Sequence, residues 1–213
     1  MNKISNFKTC FMGILSCKKY KTRRDKQNLS NNIFEYKYFI GDPSLTSPLE
    51  KDEIVYLPCK DEYEFLPIKV LLMLDWIQEN KKFDYIFKTD DDIIFNFEKL
   101  KELYDFVSTN NIKYAGHFIS GGSYFSSYHA DKCESEIKQY SIFVEACQYC
   151  AGGGYFLSKD VVQMIIEKNL DYNQKGSYIR KHIFEDHFIG KFLNQNGIFP
   201  TSINIQNQAC FWQ

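Results

Sequence analysis

Short apolar segments alternate with longer amphipathic segments along most of this chain. Apolar runs of strand length occupy residues 8–16, 35–40, 53–57, 83–88, 112–118 and 155–157. Helical patterns lie between or after them, over residues 64–79, 97–107, 159–168 and 186–196. An alternation of strands and helices predicts an α/β domain with a largely parallel sheet flanked by helices.

Three residues predict where helices begin or end. Asn96 and Ser158 can accept hydrogen bonds from the free N–H groups of the helices that follow them. Gly197 comes just after the last apolar position of the final helix, where a left-handed residue commonly ends a helix. The segment 120–127 is rich in glycine, serine and aromatic residues, and we expect it to be a mobile loop.

Charge and hydropathy exclude two classes of function. The 26 Lys and Arg residues nearly balance the 27 Asp and Glu residues, which argues against nucleic-acid binding by excess positive charge. The apolar run 10–15 is too short to span a bilayer, and Lys18 and Lys19 follow it instead of a cleavage site. We therefore expect a soluble, cytoplasmic protein. The basic run 18–24 is expected to be a solvated loop after the first strand.

Seven cysteines are scattered along the chain, an odd number that does not suit a disulfide framework. Cys147 and Cys150 form the one CxxC pair. Zinc would need two more ligands, and no second CxxC or HxxxH motif is present. Ordinary buried or free thiols are the favoured interpretation, with a zinc site and a redox pair as alternatives.

Three adjacent aspartates follow the predicted strand 83–88 directly. In an extended segment, Asp90 and Asp92 would point to one side and Asp91 to the other. A pair of carboxylates on one side can hold Mg²⁺ or Mn²⁺, which prefer oxygen ligands and leave positions for phosphate. Ligands of open α/β sheets bind beyond the carboxyl ends of strands, so the position suits a site. The alternative is a solvated turn with aspartates that cap nearby amides.

Two later motifs also carry possible chemistry. Three glycines precede the segment 155–157, and they permit either a close approach to a ligand or a simple turn. Glu185 and Asp186 precede the last helix, where acidic side chains complement the helix dipole. They could equally supply a general base near a bound metal.

The three motifs together resemble those of the β-1,3-galactosyltransferase and β-1,3-N-acetylglucosaminyltransferase family, glycosyltransferase family 31, which includes fringe-like enzymes. The shared order is Lys-Thr-Asp-Asp-Asp after a strand, then Tyr-Cys-x-Gly-Gly-Gly-Tyr-x-x-Ser, then Glu-Asp-x-x-x-Gly. The segments 39–41 and 61–69 and the first strand with Arg23 and Arg24 are also similar. The resemblance covers about residues 9–200.

The resemblance implies a GT-A fold, a single domain with a Rossmann-like sheet. A nucleotide-sugar half would span about residues 1–118 and an acceptor half about residues 119–213. The implied activity is an inverting, metal-dependent transfer of a hexose or N-acetylhexosamine from a UDP-sugar to a hydroxyl group. A glycan or glycoconjugate would accept the sugar, through a β-1,3 linkage.

The resemblance also assigns roles to particular positions. Asp186 would be the general base that takes the acceptor's proton, because an alcohol is a poor nucleophile. Asp92, with Asp90, would bind Mn²⁺ or Mg²⁺, which stabilises the leaving diphosphate. The positions implied for the UDP-sugar are Ser16, Arg23, Lys88, Asp90, Asp91, Gly152, Gly153, Gly154 and Glu185.

The sequence departs from the family pattern at two points. Many members have a metal-binding histidine downstream of the base, whereas no histidine follows His187 here. Water, or residues such as Asn204, Asn207 and Gln208, would have to complete the metal site. His187 itself replaces the valine that usually follows Glu-Asp. The competing hypotheses are a non-catalytic relative that binds or scaffolds and a different Mg²⁺-dependent phosphate enzyme.

Overall fold

The computed structural model describes residues 8–169 and 183–212. The strands in these ranges are β1 (Cys10–Leu15), β2 (Glu35–Gly41), β3 (Leu49–Lys51), β4 (Ile54–Leu57), β5 (Tyr85–Asp90), β6 (Ile93–Phe95), β7 (Tyr114–Ile119), β8 (Tyr124–Ser126), β9 (Ile142–Val144), β10 (Tyr149–Ser158), β11 (Thr201–Ser202) and β12 (Cys210–Trp212). The α-helices are α1 (Lys21–Lys26), α2 (Leu66–Asn80), α3 (Phe97–Thr109), α4 (Ser127–Ala130), α5 (Lys159–Asn169), α6 (Glu185–Gln195) and α7 (Ile205–Gln208).

One eight-stranded sheet organises the molecule, in the order β11-β7-β10-β5-β1-β2-β4-β3. The four central strands β5, β1, β2 and β4 are parallel, as the strand–helix alternation predicts. Strand β10 runs antiparallel to β5 and β7, between which it lies. Two small antiparallel sheets, β6 with β12 and β8 with β9, complete the strands of the described residues.

Helices cover both faces of the sheet, so its strands are buried on two sides. On one face, Phe11 and Leu15 of β1 pack with α2, α5 and α6. On the other face, Met12 and Ile14 of the same strand pack with α3 and with the segment around α7. This burial of alternate residues on opposite faces explains why the central strands are nearly continuous apolar runs. The structure thus confirms the predicted mostly parallel α/β sheet flanked by helices.

The structure confirms the predicted helix ends at Asn96 and Gly197, while the Ser158 hydroxyl, directly before α5, donates to Asp160 Oδ1. The Asn96 side chain accepts a hydrogen bond from the backbone N–H of Lys99 at the start of α3. Gly197 adopts a φ of 73° after α6. Its N–H donates to Asn194 O at 3.0 Å, and the next N–H donates to Leu193 O at 2.9 Å, which is the hydrogen-bond pattern of a Schellman C-cap.

Two predictions about loops need correction. The basic run 18–24 is not a plain loop, because it forms a 3-10 turn at Lys18–Tyr20 and the start of α1. The segment 120–127 contains strand β8 and the start of α4, so only residues 120–123 lack regular structure. The described ranges contain no helix with the length and apolar character needed to cross a membrane.

Candidate active site

The topology brings the three motifs to one edge of the sheet. Leu15, the last residue of β1, pairs with Asp90, the last residue of parallel strand β5. Because β10 is antiparallel to β5, its glycine-rich beginning lies at this same edge. Helix α6 begins with Glu185 beside that edge, and both Lys88 and Gly152 make contacts with its first turn.

Lys88 is the hydrogen-bonding centre of this edge. Its side chain is fully buried, and its Nζ donates to Asp90 Oδ1 at 2.8 Å, to Gly152 O at 2.9 Å and to Glu185 Oε1. Burial alone would lower the pKa of Lys88, but the Asp90 and Glu185 carboxylates outweigh burial and raise it. The lysine therefore stays protonated and joins a strand end, a glycine carbonyl and a helix start.

Glu185 is buried and uses both carboxylate oxygens for contacts within the protein. Oε1 accepts from Lys88 Nζ, and Oε2 accepts from the Tyr155 hydroxyl at 2.9 Å. Burial raises the pKa of Glu185, and the Lys88 charge opposes that rise. This geometry makes Glu185 a support for Lys88, while its assignment to the donor remains a prediction.

Asp186 lies next to the glycine run and keeps part of its surface accessible to solvent. Its Oδ2 accepts from the backbone N–H of Gly152 at 3.0 Å, and its Oδ1 accepts from the N–H of His187 at 2.8 Å. Burial raises the pKa of Asp186, whereas the Lys88 charge and the two N–H bonds lower it. The N–H groups thus favour the ionised carboxylate, but burial has the larger effect on its pKa.

Asp91 and Asp92 form a turn instead of continuing the strand. The predicted placement of Asp90 and Asp92 on one side assumed an extended segment, and that segment ends at Asp90. Asp91 is buried and accepts a hydrogen bond from the Ser16 hydroxyl at 2.6 Å. The Arg23 guanidinium lies 3.7 Å from Asp91 Oδ1 and 3.3 Å from Asp92 Oδ2. One arginine therefore faces two of the three aspartates.

The surroundings of Asp92 fit a divalent cation. Its Oδ1 is buried and has no hydrogen-bond partner in the described part of the chain. Burial, followed by the nearby Asp90 carboxylate, raises the pKa of Asp92. A cation would satisfy this oxygen, whose burial without a partner is costly. Residues 8–169 and 183–212 contain no group of three His, Cys, Asp or Glu side chains that could hold a metal, so phosphate and water oxygens would complete the coordination.

Helix α1 brings positive charge to the aspartate turn. Arg23 lies 3.9 Å over the ring of Tyr20, which holds the guanidinium in place. Arg24 donates to the Ser16 hydroxyl at 2.7 Å and to the carbonyl of Cys17 at 2.6 Å. The first strand end, the basic segment and the aspartates predicted to bind one donor are thus in contact with each other.

An ion pair between Lys69 and Asp61 holds the chain at the end of β1 in place. Lys69 Nζ donates to the carbonyl of Ser16 at 2.9 Å and to Asp61 Oδ1 at 2.5 Å. The same Asp61 carboxylate accepts from the N–H groups of Gly41 and Lys18, at 2.7 Å and 2.6 Å. The segment 61–69, noted in the sequence only as a family likeness, therefore fixes the ends of β1 and β2 relative to each other.

Each of the three glycines lacks a side chain for a different structural reason. A Cβ on Gly152 would lie 3.1 Å from Glu185 Oε1 and 3.4–3.5 Å from the Asp90 and Asp186 carboxylates, so a side chain there would crowd the site. A Cβ on Gly153 would lie 3.0 Å from the ring of Trp212, and one on Gly154 would lie 2.7 Å from that of Phe87. Gly152 therefore borders the carboxylates, whereas the next two glycines make room for aromatic rings.

Two expectations about other side chains can be compared with the structure. All seven cysteines, including Cys147 and Cys150, are free thiols in this structure. Asn207 donates to Asn204 at 3.1 Å beside α7. Trp212, which the sequence did not single out, lies against Gly153 of the glycine run, and nothing in the local pattern of residues 201–213 marked it.

Comparison with known proteins agrees with the motifs. A family model described as galactosyltransferase matches residues 47–204, which include the aspartate turn, the glycine run and the start of α6. Among curated proteins, UDP-GalNAc:beta-1,3-N-acetylgalactosaminyltransferase 1 of Mus musculus is 26% identical over 162 residues, or 72% of this chain and 45% of the relative. Beta-1,3-galactosyltransferase 1 of Homo sapiens is 27% identical over 194 residues, or 84% of this chain and 56% of the relative. The chain thus spans about half the length of these relatives.

Proposed function

This chain belongs to the galactosyltransferase family, and from that premise we propose that it is a metal-dependent, inverting glycosyltransferase. It transfers a hexose or N-acetylhexosamine from a UDP-sugar to a hydroxyl group of a glycan or glycoconjugate and forms a β-1,3 linkage. The two relatives described above are named as β-1,3-transferases of N-acetylgalactosamine and galactose, which supports this class of donor and linkage.

The observation that carries the proposal is the meeting of three elements around Gly152. The end of β5 supplies Asp90, the start of α6 supplies Asp186, and Lys88 connects the two elements through its hydrogen bonds. A transfer with inversion needs an acceptor hydroxyl on one side of the sugar and the leaving diphosphate on the other. Asp90 and Asp186 approach Gly152 from β5 and from α6, and this arrangement suits that requirement.

Asp186 is the proposed general base. Its raised pKa makes the carboxylate a stronger proton acceptor than an exposed aspartate, because basicity increases with the pKa of the conjugate acid. The N–H groups of Gly152 and His187 hold it in one orientation. As the acceptor oxygen attacks the anomeric carbon, Asp186 receives its proton, and the bond to the diphosphate oxygen breaks.

The aspartate turn and helix α1 are proposed to bind the diphosphate. Asp92, with Asp90 beside it, would hold Mn²⁺ or Mg²⁺, and the cation when bound neutralises charge on the leaving group. Arg23 lies next to both Asp91 and Asp92, so its guanidinium is placed to attract phosphate oxygens at the same turn. Ser16 holds Asp91 in place through its hydroxyl.

A donor screen tests this function directly. Purified protein with Mn²⁺ is incubated with UDP-galactose, UDP-N-acetylgalactosamine, UDP-glucose and UDP-N-acetylglucosamine, with and without methyl glycosides as acceptors. Release of free UDP that increases with acceptor supports transfer. Binding of UDP-sugar without release would indicate a non-catalytic relative, and release of inorganic phosphate or sugar phosphate would indicate a different phosphate enzyme. Either result contradicts the proposal.

A further inference from the structure

The last described strand lies across the glycine run at the edge of the candidate site. Strand β12 pairs antiparallel with β6, so that Trp212 stands opposite Ile93, the residue directly after Asp92. Two residues earlier on β12, the Sγ of Cys210 lies 3.4 Å from where a Cβ of Gly154 would be. Strand β12 thus packs against the first part of β10 and ends beside the aspartate turn.

Trp212 contacts the backbone of this run and is otherwise open to solvent. A Cβ on Gly153 would lie 3.0 Å and 3.2 Å from two carbons of the indole ring and 3.3 Å from Ile93 Cδ1. The residue nevertheless remains 55% exposed. The chain's other tryptophan, Trp76, is 6% exposed in the core. An indole that is half in solvent, in a strand that ends beside the aspartate turn, is an apolar surface without a partner in the described structure.

A sugar ring has the chemistry that fits this combination. One face of a pyranose carries C–H groups and is apolar, while its edges carry hydroxyl groups that bind carboxylates. Ligand sites commonly join an aromatic surface to a few placed polar groups in this way. Asp90 and Asp186 flank Gly152, and Trp212 covers the adjacent Gly153. The glycine run therefore has carboxylates on the side to which a Cβ of Gly152 would point and an exposed indole on the side to which a Cβ of Gly153 would point.

We propose that Trp212 stacks on the C–H face of a pyranose bound at this edge and thereby helps to determine which sugar the site accepts. The inference rests on the proposed function, because it places a sugar at the same site. It goes further by assigning a sugar contact to a residue outside the three motifs. The sugar can belong to the donor or to the acceptor, and the experiment separates these two sources.

Tryptophan fluorescence reads the contact without relying on turnover. In a Trp76→Phe variant, Trp212 is the only tryptophan, because the chain has two, and excitation at a wavelength that tyrosine hardly absorbs restricts the emission to it. We expect its emission to change when UDP-sugar and Mn²⁺ are added and to stay constant with UDP and Mn²⁺ alone if the stacked sugar is the donor's. A change only on addition of methyl glycosides to the UDP complex assigns the acceptor's sugar. If Trp76→Phe impairs folding, the same difference is measured in the wild type, where buried Trp76 gives a constant background.

Affinity measurements with matched variants provide the second arm. Trp212→Ala should weaken binding of the stacked sugar ligand by about tenfold, the scale of a lost aromatic contact, and leave UDP affinity unchanged. Trp212→Phe should retain most of the affinity. Phe211→Ala is the control, because Phe211 is also exposed on β12 but is adjacent in the strand, so its side chain points to the opposite face. Emission from Trp76 confirms that each Trp212 variant is folded.

The outcomes separate this inference from the function on which it rests. If the wild type binds and transfers sugar but Trp212→Ala has the same affinity for UDP, UDP-sugar and acceptor, Trp212 only covers the backbone of Gly153 and the inference is wrong. Equal losses for Trp212→Ala and Phe211→Ala would also contradict it, because they would indicate a general effect of disturbing β12. If the wild type binds no UDP-sugar at all, the proposed function fails and this inference fails with it.

Discussion

At the scale of single residues, one ammonium group holds the candidate site together. Lys88 is fully buried, and its contacts connect Asp90, Gly152 and Glu185. Removing one partner of a buried ion pair leaves the other charge without compensation, which is more costly than removing both. The stability of the fold and the arrangement of the site therefore depend on the same side chain.

A double-mutant cycle tests that dependence. Lys88→Met keeps the length of the side chain but leaves Glu185 buried without its cation, so we expect a loss of about 3–5 kcal/mol in the free energy of unfolding. Glu185→Gln in the Lys88→Met background removes the stranded charge and can keep the Tyr155 hydrogen bond. The double variant should therefore be more stable than Lys88→Met alone in urea denaturation. Additive losses would show that the pair is not coupled.

The role of Asp186 can be separated from donor binding. Asp186→Asn preserves size and removes basicity, so the transfer rate constant should fall by about a hundredfold or more. UDP and Mn²⁺ affinity should change little, because the proposed diphosphate contacts are at Arg23 and Asp92. Because the carboxylate must be ionised to accept a proton, the wild-type rate should decrease as the pH falls through the raised pKa of Asp186. Near-normal turnover in Asp186→Asn with loss in Glu185→Gln would reverse the assignment.

The cation site is tested at Asp92, whose Oδ1 is buried without a partner in the described residues. Mn²⁺ with UDP at about 100 times the dissociation constant should stabilise the wild type by about 2.7 kcal/mol. Asp92→Ala should lose this stabilisation and remain folded without ligand. Asp105→Ala is a matched control, since Asp105 is exposed on α3 and pairs with Lys101. Equal stabilisation of all three proteins in thermal unfolding would argue against Asp92 as a ligand.

At the scale of elements, long apolar or periodic segments were predictable and short paired strands were not. The helices 97–109 and 185–195 and strand 35–41 agree with the sequence within a few residues. Strand β10 begins six residues before its predicted start at Tyr155, because the glycine run has no side chains to signal a strand, whereas the residues on both sides of the run pair with β7. The small strands β6 and β12 exist only through their contact with each other, which local sequence does not encode.

The segment 120–127, which the sequence predicts to be mobile, is a candidate to close over a bound donor. Cβ groups on Gly121 and Gly122 would meet nothing within 4 Å, so the backbone there is unpacked before β8 begins at Tyr124. If this part orders over bound ligand, limited proteolysis at residues 120–123 should slow on addition of UDP and Mn²⁺. The rate is followed by mass spectrometry of the fragments, with Asp92→Ala as the control that should show no protection. Equal cleavage with and without ligand in the wild type would contradict the closure.

At the scale of the whole molecule, the nucleotide and acceptor halves predicted from the sequence share one sheet. Strand β10, from the second half, lies between β5 and β7 of the first half. Sequence order could not reveal this insertion, because the residues of β10 pair with residues about 30 to 70 positions earlier in the chain. The same insertion places the glycine run beside Lys88, so the site forms only when both halves are folded. The alternation of strands and helices predicted the sheet, and the motif order indicated the candidate site, but neither predicted that connection.

The shared sheet predicts a single unfolding transition for the described fold. Trp76 lies on α2 in the first half and Trp212 on β12 in the second. Trp212→Phe therefore leaves one tryptophan in the first half, and Trp76→Phe leaves one in the second half. Because β10 of the second half joins β7 to β5, neither half alone keeps all the strand pairings of the eight-stranded sheet, and unfolding should be cooperative. For each variant, the urea midpoint measured by fluorescence should coincide with the midpoint measured by far-ultraviolet circular dichroism on the same variant. A fluorescence midpoint for one tryptophan that is clearly separate from the circular dichroism transition would mean that the halves unfold independently.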